Sequence, residues 1–62
     1  MDINDLLNDL PRGDQERFNR IFSGVYESTS LCNIYGAKSP KNPTPEDAII
    51  IKENLYKQMF SK

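Results

Sequence analysis

Apolar residues recur at helical spacing in three separate stretches of the chain. The first stretch places four aliphatic side chains on one helical face, at i, i+3, i+4 and i+7: Ile3, Leu6, Leu7 and Leu10. Asp2 can cap the first turn of such a helix, and Pro11 interrupts the pattern. The pattern predicts a short amphipathic helix over residues 2–10. A helix this short is not stable alone in water, so it must pack against something.

The second stretch repeats the helical period of 3.6 residues through five apolar positions: Phe18, Ile21, Phe22, Val25 and Tyr26. Asp14 precedes these positions and is a typical helix-start residue, so we expect a helix over residues 14–27. Glu16 and Arg20 stand in the order that favours an ion pair across one helical turn. This helix should present one apolar face to a core.

Turn residues and prolines dominate the segment that follows the second helix. Leu31–Tyr35 falls off the apolar stripe of that helix, so it is predicted to form a separate helical turn, which Gly36 closes. Residues 36–44 contain Pro40 and Pro43, which have no amide donor and push the preceding residue towards extended backbone. This segment is therefore predicted to be a loop.

The last stretch has the clearest helix start in the chain. Thr44 can cap the helix, Pro45 suits the first helical position, and two acidic residues follow in the first turn. The apolar residues then cover about half of the helical circumference: Ala48, Ile49, Ile51, Leu55, Tyr56, Met59 and Phe60. We predict a helix over residues 45–60, with Glu53 and Lys57 paired across one turn.

These elements predict an all-α fold: a single small three-helix domain, with a short N-terminal helix and two longer helices joined by a proline-containing loop. Three apolar faces then converge on one core. The core of a 62-residue chain is marginal. Cys32 is the one cysteine and there is no histidine, so neither an internal disulfide nor a tetrahedral zinc site is expected. Stability must come from packing, self-association or a partner.

Two residues of the last helix depart from its apolar pattern. Ile50 is predicted to project away from the apolar arc, whereas Lys52 projects into it, where its stem can lie along the core edge. One explanation is that the core covers one side of this helix and a partner covers the other. The candidate partner-binding residues are then Glu46, Ile50, Asn54 and Lys57, followed by the apolar face of the acidic first helix: Ile3, Leu6, Leu7 and Leu10. The alternative is that these last four residues close the protein's own core.

The charge of the chain is unevenly distributed. The net charge is only −1, but acidic residues collect before residue 17 and basic residues in the middle of the chain. Four of these basic residues could contact nucleic acid, with Tyr26 or Tyr35 available for stacking: Arg17, Arg20, Lys38 and Lys41. Four cations with acids nearby make a thin footprint for phosphate binding. Nucleic-acid binding is therefore an alternative function and not the first one.

The chemistry of the chain favours binding over catalysis. It has no histidine for acid–base work, no glycine-rich phosphate loop and no base beside the single thiol. We therefore predict a non-catalytic protein–protein interaction module, a small adaptor, inhibitor or regulator of a larger protein, which needs no metal or cofactor. A third candidate is a structural subunit or self-assembling homodimer.

The location is predicted from the absence of two signals. The sequence contains no apolar run long enough to cross a membrane, and its acidic start is unlike a signal peptide. We therefore expect the cytoplasm, or the host-cell cytoplasm if the protein is viral. The small size and simple composition would suit an accessory protein of a phage or mobile element, although no motif is long enough to assign a family.

Overall fold

The computed structural model describes residues 2–60 and contains four α-helices in that range. They are α1 (Ile3–Asn8), α2 (Arg12–Glu27), α3 (Thr29–Ile34) and α4 (Pro45–Phe60). No strand occurs among these residues. The all-α prediction is confirmed, and α4 has the predicted bounds. The separate helical turn expected after the second helix forms the short helix α3. The fold therefore has one helix more than the three that were predicted.

The junction between α1 and α2 lies earlier in the chain than the sequence indicated: it covers residues 9–11, whereas residues 11–13 were predicted. α2 begins before Asp14, because the extended Pro11 takes the cap position and its carbonyl accepts the first helical hydrogen bond, from the Gln15 N–H at 3.0 Å. The side-chain amide of Gln15 also donates to the carbonyls of Asn8 and Leu10, at 3.0 and 2.9 Å. Gln15 therefore satisfies the carbonyl of the last residue of α1 and that of Leu10 in the three-residue junction between the helices.

The core draws on every helix and on the connection before α4. Its buried apolar residues are Ile3, Phe18, Val25, Cys32, Ala37, Ile51 and Leu55. At one edge the aromatic rings form a continuous row from α2 to α4. Phe18 lies 6.4 Å from both Phe22 and Phe60, measured between ring centroids, and Phe60 lies 5.2 Å from Tyr56. These offset rings join the two long helices.

Helix α1 packs against α4 through its apolar face. Ile3 is buried with 4% exposure, while Leu6, Leu7 and Leu10 are half-buried. Ile3 therefore contributes to the protein's own core, as the alternative interpretation of this face required. The three leucines of this face keep part of their surface exposed to solvent.

Helix α4 presents its isoleucines differently from the prediction. Ile49, assigned to the apolar arc, is 44% exposed, whereas Ile50, expected to project outward, is half-buried. The reason is that the chain turns at Gly36 beside Ile50 and covers that side of the helix. Lys52 is half-buried as predicted, and its Nζ lies 5.2 Å from the centroid of the Phe22 ring. This cation–π contact at the core edge is typically worth about 0.5–1 kcal/mol.

Neither predicted ion pair forms among residues 2–60: Glu16–Arg20 and Glu53–Lys57. Because α2 starts earlier than expected, Arg12 belongs to this helix. Its Nε lies 4.0 Å from Oε1 of Glu16, one turn further along the helix. Asp14 instead accepts a 2.9 Å hydrogen bond from Arg17. Exposed pairs of this kind contribute little to stability.

Candidate functional site

A single residue separates α2 from α3. Ser28 has extended backbone, and its N–H donates to the Val25 carbonyl at 3.1 Å, which ends α2. Its side-chain oxygen accepts a 3.3 Å hydrogen bond from the Leu31 N–H, which caps α3. With one residue as the link, α3 has little freedom relative to α2.

Cys32 fixes the inner face of α3. Its side chain is fully buried, and the thiol lies 3.2 Å from the Val25 carbonyl and 3.4 Å from the Tyr26 carbonyl, near the end of α2. It also shares one apolar cluster with Ala37 and Ile51. Cys32 therefore acts as a small buried apolar residue, and it holds three segments together.

The end of α3 is a Schellman motif centred on Gly36. The Gly36 N–H donates to the Asn33 carbonyl at 3.1 Å, and the Ala37 N–H donates to the Cys32 carbonyl at 2.9 Å. Gly36 has a φ of +93°, as such an ending requires. The Asn54 side-chain amide then donates to the Tyr35 carbonyl at 2.6 Å, which ties the end of α3 to α4.

Replacing Gly36 by alanine should lower the free energy of unfolding by about 1–3 kcal/mol, since a side chain at this φ is strained. The new Cβ would also lie 3.2 Å from Asn54 Nδ2 and 3.4 Å from Ile50 Cγ2. Gly24→Ala is the matched control, because Gly24 lies inside α2 and an added Cβ would meet no atom within 4 Å beyond its chain neighbours and the nearby helix backbone. That variant should gain about 0.5–1 kcal/mol. Urea unfolding measures both, and equal effects would contradict the prediction.

Asp47 organises the connection between α3 and α4. Its side chain is 1% exposed, and its carboxylate accepts backbone hydrogen bonds from Lys38 at 3.0 Å, Ser39 at 3.1 Å and Thr44 at 3.3 Å. In return, the Asp47 N–H donates to the Thr44 hydroxyl oxygen at 3.2 Å. The two reciprocal bonds between Thr44 and Asp47 form a capping box, with aspartate in place of the usual glutamate.

The sequence did not reveal this role of Asp47, which was assigned only to the first turn of the helix. The signal that could have found it is the spacing of Thr44 and Asp47. The Lys38 amide is the main cause that lowers the pKa of Asp47; burial opposes it, and the Thr44 and Ser39 amides and the Thr44 hydroxyl add to it. The carboxylate therefore stays charged at neutral pH and holds the connection in one shape.

A groove of about 450 Å³ lies between α3 and this connection. Helix α3 also exposes two aliphatic side chains that are not part of the groove lining: Ile34 is 72% exposed and Leu31 is 38% exposed. Ile34 follows the groove residue Ser30 by one helical turn, so the two are neighbours on α3. We call this region the α3 surface, and it consists of Thr29, Ser30, Leu31, Asn33, Ile34, Ser39, Pro40 and Lys41.

The partner-binding residues predicted on α4 are only partly free. Glu46 and Lys57 are exposed at the two ends of the predicted face. Between them, Ile50 packs beside Gly36, and Asn54 is engaged with the Tyr35 carbonyl. The chain's own turn therefore lies along the middle of this face. That arrangement accounts for the departure of Ile50 from the apolar pattern without a partner.

The predicted residues on α1 border two small pockets. Ile3 and Leu6 line one of about 100 Å³ against Tyr56 of α4. Leu7 borders another of about 160 Å³, whose lining is mostly polar and includes Lys52. Both pockets lie where α1 meets the rest of the domain. They are much smaller than the groove beside α3.

The four basic residues proposed for nucleic acid are divided between two elements. Arg17 and Arg20 are exposed on α2, and Arg17 already pairs with Asp14, while Lys38 and Lys41 are exposed on the connection. The two tyrosines proposed for stacking make internal hydrogen bonds. These run from the Tyr26 hydroxyl to the Pro43 carbonyl at 3.4 Å, and from the Tyr35 hydroxyl to the Gln58 side chain.

Comparison with known proteins finds no relative of this chain: no protein-family model matches it, and neither curated proteins nor solved structures give a significant match. In the part of the chain that the structure describes, no helix is both long and apolar enough to cross a membrane. Within the same residues, no three His, Cys, Asp or Glu side chains gather as metal ligands would. The comparisons therefore assign no function to the chain.

Proposed function

We propose that this chain is a non-catalytic protein-binding module, a small adaptor, inhibitor or regulator that contacts a larger protein through the α3 surface. The observation that supports the proposal is the 72% exposure of Ile34. A domain this small needs its apolar residues for its own core. An aliphatic side chain that is this exposed adds nothing to that core, and a bound partner would cover it.

The surroundings of Ile34 strengthen the proposal. A single exposed isoleucine is ordinary on a protein surface. Here, however, Leu31 stands one turn before it on the same helix, and Ser30, one turn before Ile34, lines the groove. The buried centre of a protein interface is more apolar than the rest of the protein surface, so two exposed aliphatic side chains on one short helix suit such a centre.

The rigidity of α3 also suits binding. The helix is fixed at its start by Ser28, on its inner face by Cys32 and at its end by Gly36, while Asp47 holds the opposite wall of the groove. A surface already held in its binding shape loses little conformational entropy when a partner docks. We propose the cytoplasm as the compartment, where a free thiol such as that of Cys32 remains reduced.

The test is capture of partners from a host-cell lysate with matched variants and nuclease treatment. The comparison is Ile34→Gln against Ile49→Gln, because Ile49 is also an exposed isoleucine but lies outside the α3 surface. We expect a protein that survives nuclease to be captured by the wild-type chain and by Ile49→Gln. Its affinity for Ile34→Gln should be weaker by at least about tenfold, with unchanged circular dichroism.

Other results would change the assignment. Equal capture by both variants would move the contact away from α3, and Glu46 and Lys57 on α4 would be tested next. Recovery that disappears with nuclease would favour nucleic acid as the target. In that case binding should weaken steeply with salt.

A further inference from the structure

Helix α1 is held on the domain by few contacts. It has six residues, of which Ile3 alone is buried, and the three leucines on the same face are half-buried. Within residues 2–60, two hydrogen bonds join residues 2–10 to the rest of the chain, and the side-chain amide of Gln15 donates both. No ion pair within that range adds to them. Because a helix this short is not stable alone, these few contacts decide whether α1 is formed.

Two pockets border α1 where it faces the long helices. The first, of about 160 Å³, has Leu7 of α1 and Phe18 of α2 in its lining. The second, of about 100 Å³, has Ile3 of α1 and Tyr56 of α4 in its lining. Atoms that face open space have fewer neighbours and gain less dispersion energy. Helix α1 is therefore packed less closely than α2 and α4, which meet through stacked aromatic rings.

The contacts among the other three helices do not involve α1. The buried cluster around Cys32 takes its members from α2, α3, the connection and α4. Asp47 bonds α4 to the connection, and Asn54 bonds α4 to the end of α3. The ring of Phe18 on α2 stacks with that of Phe60 on α4. All of these contacts would remain if α1 moved away.

We infer that α1 is a lid, which opens as a unit while α2, α3 and α4 stay folded. Opening withdraws Ile3 from its place beside Tyr56 and uncovers Phe18, which is 1% exposed in the closed domain. Residues 9–11 act as the hinge, because they belong to neither helix. Proteins open in cooperative local units, and units with few buried apolar contacts open at the lowest free energy. The domain then has a second state with an apolar strip exposed between α2 and α4. This inference does not depend on the proposed function, which concerns the α3 surface.

Hydrogen exchange of the full chain, followed residue by residue by NMR, tests the lid. The N–H groups of Leu6 and Asp9 donate to the carbonyls of Asp2 and Asp5, each at 3.2 Å, so they report on α1. After correction for intrinsic rates, we expect them to exchange at least about tenfold faster than the slowest amides of α2 and α4. Low concentrations of urea should change their rates little, because a small unit exposes little surface when it opens. Equal protection and equal urea dependence in all three helices would mean that α1 opens only with the whole domain, and the inference would be overturned.

A mild core substitution separates the opening of α1 from that of the whole domain. Ile51→Val shortens a fully buried side chain in the cluster around Cys32, and it should speed the exchange of the slowest amides of α2 and α4 by about fivefold. The amides of Leu6 and Asp9 should keep their wild-type rates, because the opening of α1 leaves that cluster intact. Ile49→Val is the matched control at an exposed position of α4, and it should change neither set of rates. A similar increase in both sets with Ile51→Val would overturn the lid.

The attachment of the lid is tested at Gln15. Gln15→Ala removes both hydrogen bonds to residues 2–10 and should speed the exchange of the Leu6 and Asp9 amides by about fivefold or more. Asn19→Ala is the matched control, because Asn19 is exposed on α2 and borders the larger of the two pockets, but its side chain makes no hydrogen bond to residues 2–10. It should leave the rates unchanged. Equal effects from the two variants would overturn the assignment of Gln15 as the residue that holds the lid closed.

Discussion

Replacing Phe18 by alanine should lower the free energy of unfolding by about 3–5 kcal/mol. Phe18 is 1% exposed and its ring stacks between those of Phe22 and Phe60. Its removal opens a cavity where α2 meets α4 and removes the ring contacts with Phe22 and Phe60. A domain of this size typically has only about 3–9 kcal/mol of stability. Much of the variant should therefore be unfolded at room temperature.

The measurement for Phe18 is urea unfolding followed by far-ultraviolet circular dichroism. Ile21→Ala provides the control, because Ile21 lies on the same predicted stripe of α2 but is 38% exposed. Its loss should cost about 1 kcal/mol or less, since exposed positions away from special features tolerate change. Comparable losses for the two variants would mean that α2 does not present Phe18 to the core.

Acid should weaken this domain through Asp47, and Asp47→Asn should remove that part of the pH dependence. The pKa of Asp47 is lower in the folded chain than in the unfolded one, chiefly because the Lys38 amide donates to the carboxylate. The stabilisation is therefore complete above the unfolded pKa of about 3.9 and is lost as the pH falls towards the folded value. At neutral pH the variant should melt several degrees below the wild-type chain, and the difference should narrow below about pH 4.

Melting curves between pH 2.5 and 7 test the role of Asp47. Glu46→Gln is the matched control, because Glu46 is the neighbouring acid on α4 but is exposed. It should shift the melting temperature little at any pH. If the gap between Asp47→Asn and the wild-type chain stayed constant down to pH 2.5, the carboxylate charge would not be the source of the stabilisation.

The helices could be predicted from the sequence because their signals are local. The start of α4 depends on Thr44 and Pro45, and its bounds were predicted correctly. The start of α2 was misplaced, because Asp14 attracted the assignment although Pro11 already supplied a suitable φ and a free carbonyl. Both competing signals were visible in the sequence. The earlier start places the side chain of Gln15 where it donates to the carbonyls of Asn8 and Leu10, a tertiary contact that neither signal predicts.

The exposure of individual residues could not be predicted in the same way. Ile49 and Ile50 are adjacent on α4, and which of them is covered depends on where the chain passes after α3. Likewise, the departure of Leu31 and Ile34 from the α2 stripe indicated a new helix but not its orientation. That orientation is set by Cys32, which bonds back to α2. Exposure at these positions is a property of tertiary contacts, whereas the helical period is a property of the local sequence.

Asp47 lies between these two cases. Its reciprocal bonds with Thr44 are local and follow from their spacing. Lys38 and Ser39 stand nine and eight residues before Asp47, so their bonds to its carboxylate depend on how the loop folds back. The sequence could therefore have identified the cap, but not the wall of the groove that the same carboxylate supports.

The rate at which the buried thiol of Cys32 is alkylated measures how often the α3 region opens. The side chain is fully covered and lies where α2, α3 and the connection meet. An alkylating reagent can reach the sulfur only when those segments separate, so the rate of modification counts openings of the α3 region. A bound partner that holds α3 in place would slow this rate. The natural sequence therefore carries its own reporter of occupancy at Cys32, and no cysteine has to be introduced.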